Sequence, residues 1–210
     1  MSKLPRREDF PEFEKIYKVS ENIMGFLPNS MLYMSNSPSL LLTFSLMSKT
    51  ILREKTKINF FEKIFFLGKL VLSIFKREKE KDTIGSELRY LIAYVTSNAS
   101  GCLYCQAHTS NSAQRVGVDP HIINDAFNFE TSNLFSEREK AALAIALSGG
   151  SVPNSTTTEH FVKLKQYFVE SEIMEIVSII SLFGFLNRWN STLDTPLESF
   201  FKGKDLLDEQ

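Results

Sequence analysis

The stretch GCLYCQAHTS, residues 101–110, holds both cysteines of the 210-residue chain and one of its three histidines. Cys102 and Cys105 are three apart, and His108 follows three residues later. On a helix these are positions i, i+3 and i+6, so the two sulfurs can meet and the imidazole lies one turn further on. Cys102 falls where such a helix would begin. There the unpaired backbone N–H groups and the helix dipole favour an anion. Cysteines of C-x-x-C pairs at helix starts ionise at roughly 3.5–7.5 instead of about 8.5. A thiolate is both nucleophile and reductant, and a histidine can carry a proton near neutral pH.

Other chemistries fit the pattern less well. A c-type haem site needs His directly after the second Cys, where Gln106 stands. Structural zinc usually takes four ligands, so His121 or His160 would have to join Cys102, Cys105 and His108. A C-x-x-C pair without function is the third rival. The N-terminal MSKLPRREDFPEFEK lacks the apolar run of a secretory signal, so a reducing cytoplasm is the expected compartment. There a helix-start C-x-x-C is most often a thiol–disulfide redox centre.

The elements that must position these residues read as helices. Phe10, Phe13, Ile16, Tyr17 and Ile23 recur at helical spacing up to Gly25, and Pro28 breaks the chain. Ser37-Pro38 opens a helix to about Leu52, and Asn59 with Glu62 caps a Phe-rich one over 58–77. Residues 76–82 are a solvated charge run. A helix is expected over 86–99, broken at Ser100-Gly101, then another from about 102 to 115. Asp119-Pro120 opens a short helix. Ser136 with Glu139 caps one ending at Gly149-Gly150, Thr156 with Glu159 caps one to Phe168, and Ser171 opens the last. No segment alternates with period two for long. The expectation is an all-α single domain over 1–210, with about eight or nine helices.

Net charge is −1, which gives no field for nucleic acid or an anionic membrane. Glu62, Lys63 and Lys69 interrupt the Phe-rich segment, so no membrane span is expected. Its phenylalanines, among eighteen in the chain, are read as oligomer core. Near the end of the last helix, Asn187, Arg188, Trp189 and Asn190 cluster. Arg188 could face the cysteines, but helix termination and an inter-subunit hydrogen bond are the preferred reading. His121 and His160 sit in first turns and are expected to face solvent.

LRYLIAYVTSNASGCLYCQAHT resembles the core of the carboxymuconolactone decarboxylase family, in its alkylhydroperoxidase D-like branch. GFLPNSMLYMSNSPSLLLTF and LFGFLNRWNSTLDTPLESF resemble the N-terminal segment and the C-terminal helix and tail of longer members. The resemblance implies an all-α alkylhydroperoxidase D-like fold, a trimer or hexamer, and a peroxidase that cycles between dithiol and disulfide. It makes Cys105 the sulfur that attacks an organic hydroperoxide and Cys102 the one that resolves it. The helix-start argument alone makes Cys102 the better thiolate. The resemblance also implies a His–Glu proton relay. The His position of the best-understood relay is Thr109 here, with His108 one residue earlier. The Glu position is Tyr90, with Glu87 three residues before it.

The expected function is therefore a C-x-x-C thiol oxidoreductase, with Cys102, Cys105, His108 and Tyr90 or Glu87 as its site. No metal or other cofactor is called for. Electrons would come from a lipoyl- or thioredoxin-type protein. The alternatives are a muconolactone-type decarboxylase, which needs no paired thiols, and a non-enzymatic oligomer that senses redox state.

Overall fold

The computed structural model describes residues 5–52, 64, 67–68, 71–72 and 83–201. Most of the expected Phe-rich helix, with its Asn59–Glu62 cap, lies outside these residues, as does the charge run to Asp82. Among the described residues the chain is all-α, with nine α-helices and no strand. Its contacts divide it into two compact units, Ser2–Lys81 and Asp82–Gln210.

The first unit contains α1 (Glu14–Met24), α2 (Asn29–Met34) and α3 (Pro38–Leu52). The stop at Gly25 is real. Its φ of 81° is a left-handed conformation that a Cβ would strain. Phe13, Ile16 and Tyr17 bury against Met31, Leu32, Leu41 and Leu42. The Tyr17 hydroxyl is buried, and it is satisfied at 2.6 Å by Ser35.

The second unit contains α4 (Ser86–Ala99), α5 (Leu103–Arg115), α6 (Pro120–Asn124), α7 (Glu137–Gly150), α8 (Thr158–Tyr167) and α9 (Glu170–Leu193). Helix α4 is central and packs against α5, α7 and α9. Its Leu88, Leu91, Ile92 and Val95 meet Ala142, Leu143, Ile145 and Ala146 of α7, and Ile173, Ile176 and Ile180 of α9, in one buried cluster. Each fully buried Leu or Ile stabilises the unit by roughly 1.5–3 kcal/mol. Helices α4 and α7 approach closely because Gly150 has no side chain. A Cβ there would lie 2.7 Å from the Thr96 carbonyl oxygen.

Two helix starts differ from the sequence expectation. Helix α8 is capped by Thr157, whose N–H donates to His160 Nδ1 at 3.0 Å, and not by Thr156 with Glu159. The imidazole lone pair takes the place of the usual carboxylate. Helix α9 begins before Ser171, because Glu172 reaches back to accept the Val169 N–H at 3.0 Å. Arg138 holds the same carboxylate, and its guanidinium lies 4.1 Å from the Phe168 ring centroid.

Among the described residues no helix is long and apolar enough to cross a membrane.

Candidate dithiol site

The cysteine turn is made by the end of α4. Gly101 adopts a φ of 72°, a left-handed turn that suits glycine. The Cys102 N–H then donates to the Ser97 carbonyl at 3.1 Å. Cys102 is thereby left extended, as the N-cap of α5. Its sulfur accepts the Cys105 backbone N–H at 3.4 Å. A sulfur thus fills the role that a Ser or Asp oxygen plays at other helix starts. The expected arrangement of one cysteine at the cap and one in the first turn is what the fold contains.

Both cysteines are free and buried, at 2% exposed for Cys102 and 3% for Cys105. Burial, followed by the hydrogen bond to Cys102, pushes the Cys105 thiol up to about 12. A bond from Asn190 acts in the opposite direction. The Asn190 Nδ2 lies 3.4 Å from the Cys105 sulfur and also donates to the Leu186 carbonyl at 2.9 Å. Asn190 arrives there because it continues the inward stripe of α9. Ile173, Ile176 and Ile180 bury that stripe in the core, and Asn187 then turns it polar, donating to the Thr96 carbonyl at 3.4 Å. Of the Asn187–Asn190 cluster, Asn190 is thus the member hydrogen-bonded to a cysteine sulfur. Arg188 is exposed.

His108 lies one turn beyond Cys105, and its ring is 39% exposed. Its Nε2 is 2.8 Å from Glu198 Oε2. The other oxygen of Glu198 accepts the Tyr104 hydroxyl at 2.8 Å. Tyr104 and His108 are i and i+4 on α5, and their rings stack with centroids 4.3 Å apart. Phe201 approaches His108 at 4.7 Å between ring centroids. The Tyr104 hydroxyl, the backbone N–H of Glu198 itself and His108 together hold the Glu198 carboxyl below the usual carboxylate range. The same bond raises the Tyr104 phenol.

Tyr90 and Glu87 lie in the first half of α4. Tyr90 packs partly buried against the core, and Glu87 is exposed. Among the described hydrogen bonds the carboxylate on His108 comes from neither position. It comes from the tail beyond α9. Sequence reading did not single out Glu198, although the segment containing it was part of the family resemblance. His121 is exposed at the start of α6, and His160 is occupied in the α8 cap. Among the described residues no group of three or more His, Cys, Asp or Glu is placed to hold a metal ion. An open groove of about 480 Å³ runs between α7, α8 and α9, lined by Phe161, Val177, Ile180 and Thr156. It contains none of the cysteine-site residues.

The sequence profile of the carboxymuconolactone decarboxylase family matches residues 67–148, a span that includes the cysteine turn. No curated protein matches the chain. Among solved structures, the apo crystal structure of the debrominase Bmp8 is 34% identical, covers 92% of this chain and 90% of its own, and superposes with a TM-score of 0.54. A cysteine-to-alanine variant of Bmp8, in complex with 2,3,4-tribromopyrrole, is 33% identical over 95% of this chain and 92% of its own, with a TM-score of 0.54. A protein of unknown function from Agrobacterium tumefaciens, described as an AhpD candidate for antioxidant defence, is 20% identical over 69% of this chain and 99% of its own, with a TM-score of 0.52. An uncharacterised peroxidase-related protein from Silicibacter is 16% identical over 97% of this chain and 98% of its own, with a TM-score of 0.53. The last two establish the likeness of fold.

Proposed function

The chain belongs to the carboxymuconolactone decarboxylase family, in its alkylhydroperoxidase D-like branch, and from that membership we propose that it is a C-x-x-C thiol oxidoreductase that reduces small electrophilic organic molecules. The observation that carries this reading is the cysteine turn. Cys102 caps α5 and accepts the Cys105 N–H at 3.4 Å, with His108 one turn further on.

The first acceptor is an organic hydroperoxide. A sulfur attacks the terminal peroxide oxygen, the O–O bond breaks, and the alcohol leaves with one proton. The second sulfur displaces water from the resulting sulfenic acid and closes the disulfide. One hydroperoxide and two thiols thus become one alcohol, one water and one disulfide. We assign the attack to Cys105 and the resolution to Cys102, as the resemblance implies. With its thiol raised to about 12, Cys105 needs a base at the moment of attack. His108 is that base, and the Asn190 amide supports the negative charge on sulfur.

The likeness to Bmp8 favours a second acceptor, a brominated heteroaromatic ring. There a sulfur takes the ring bromine, the ring carbon takes a proton, and the other sulfur expels bromide as the disulfide forms. The electron count is the same. Either cycle needs a reductant, which we assign to a lipoyl- or thioredoxin-type protein. We place the chain in the reducing cytoplasm, as a homo-oligomer, a trimer or hexamer.

The test offers reduced protein, freed of reductant, one equivalent of an organic hydroperoxide or of a bromopyrrole. We expect two thiols lost per acceptor consumed, faster than with free cysteine. Bromide release identifies the second acceptor. Cys105→Ser and Cys102→Ser should both abolish the cycle. If thiols survive both acceptors, the oxidoreductase reading fails. Decarboxylation of a muconolactone-type acid that persists in the double serine variant would replace it.

A further inference from the structure

We infer that Glu198, delivered by the C-terminal tail, is the positioning residue of His108, fixing Nε2 as the N–H end of the ring and leaving Nδ1 to take and return the thiol proton. The inference rests on the oxidoreductase reading for its purpose, though not for its geometry.

Helix α9 ends at Asp194, whose left-handed φ of 48° turns the chain. The tail then brings Glu198 to α5, ninety residues away in sequence from His108. The carboxylate divides its two oxygens between two side chains one turn apart on that helix. Oε1 accepts from Tyr104 and Oε2 meets His108 Nε2, both at 2.8 Å. A carboxylate only accepts, so the ring nitrogen facing it must carry the hydrogen. In the neutral imidazole the lone pair is then on Nδ1. The ring is also gripped by Tyr104, stacked at 4.3 Å, and by Phe201 at 4.7 Å. Tautomer and orientation are thus set together.

A stabilising role explains this arrangement poorly. His108 and Glu198 are 39% and 50% exposed, and pairs so exposed contribute little to folding. What a half-exposed pair can do is select one tautomer of the histidine that serves a buried thiol. The hydroxyl of Tyr104 donates to the other oxygen of Glu198 at 2.8 Å and so helps to orient the carboxylate toward the ring.

The test uses the full chain in its reduced state, with histidine side chains labelled with nitrogen-15. His121 and His160 are assigned by replacement. We expect the wild-type His108 to be a single tautomer protonated at Nε2. In Glu198→Gln the amide can turn either its carbonyl or its N–H toward Nε2, so it accepts both tautomers of the ring. The tautomers should then mix, and turnover with the accepted oxidant should fall at least about tenfold, a part of what positioned proton transfer contributes. The KM, the number of thiols oxidised and the melting temperature should stay unchanged. Tyr104→Phe keeps the bond to Glu198 and should keep the tautomer. An unchanged His108 spectrum in Glu198→Gln, or a mixture already present in the wild type, overturns the inference. A wild-type protein that reduces neither acceptor, yet whose His108 responds as described, defeats the oxidoreductase reading and leaves the hold of Glu198 on His108 standing.

Discussion

Cys105 is 3% exposed, and a thiol taken out of water resists ionising. Burial and the bond to Cys102 push the thiol up to about 12, so at pH 8 Cys105 is overwhelmingly the protonated thiol. Alkylation of Cys105 in the reduced protein, followed by peptide mass spectrometry, should be far slower than that of free cysteine and rise about tenfold per pH unit. Asn190→Ala removes the opposing donor and should slow it further. Labelling as fast as free cysteine would show that the sulfur is not held this way. Stability should follow the same proton. The folded thiol keeps it to about 12, whereas an unfolded thiol releases it near 9. Above pH 9 the unfolded state therefore binds fewer protons, and stability falls as pH rises. Urea midpoints of the reduced wild type should drop across that window relative to Cys105→Ser. Parallel curves would remove Cys105 as the cause.

At the scale of elements, the site depends on how closely α4 and α7 lie. Gly150→Ala would set a methyl 2.7 Å from the Thr96 carbonyl oxygen and 2.9 Å from its Cα, both backbone atoms that cannot turn aside. We expect a loss of about 1–3 kcal/mol in denaturant unfolding, as for other overpacked cores. Activity should suffer too, since Thr96 anchors Asn187 just before the cysteine turn. Gly149→Ala meets side-chain atoms and no backbone, Ile180 Cγ2 at 3.1 Å and Thr156 Oγ1 at 3.5 Å, and should cost less. Equal losses would mean that the approach of α4 to α7 is softer than its geometry. Ser136→Ala tests something separate. It removes the hydroxyl that exchanges hydrogen bonds with Glu139 at the start of α7, a change of about 1 kcal/mol in most helices.

At the scale of the whole molecule, α9 has two apolar faces. One is the buried stripe of Ile173, Ile176 and Ile180. The other carries Leu182, Phe185, Trp189 and Leu193, spaced three and four apart and 41–61% exposed. Such a stripe on a lone subunit is costly in water. It suits the homo-oligomer proposed above, with the second copy covering it. Light scattering should find particles several times the mass of one chain. Leu182→Glu combined with Phe185→Glu should shift them toward the monomer. A wild-type monomer, or an oligomer indifferent to both charges, would remove this face from the assembly.

What the sequence determined by itself is what short-range chemistry controls. Gly25, Pro38, Gly101, Asp119-Pro120 and the Ser136–Glu139 box each act within a few residues, so the helices they bound were legible before any packing was known. The same holds for Cys102 at the cap and Cys105 in the first turn, because C-x-x-C spacing and a helix start are local facts. Even the caps that shifted, at Thr157 and Val169, moved by one or two residues because a neighbouring side chain offered a better acceptor. The partners of the site are a different matter. Asn190 reaches the Cys105 sulfur across 85 residues of sequence, and Glu198 reaches His108 across 90. A carboxylate in a Pro-containing tail looks the same in sequence whether it faces water or a histidine. Tyr90 and Glu87 were singled out because the family relay points there, yet they follow α4, while the carboxylate on His108 follows α9. The buried stripe of α9 sets its rotation against α4, and that rotation decides where Asn190 lies and from which side the tail leaves. It is a property of the packed core, and it exists only once the helices are assembled.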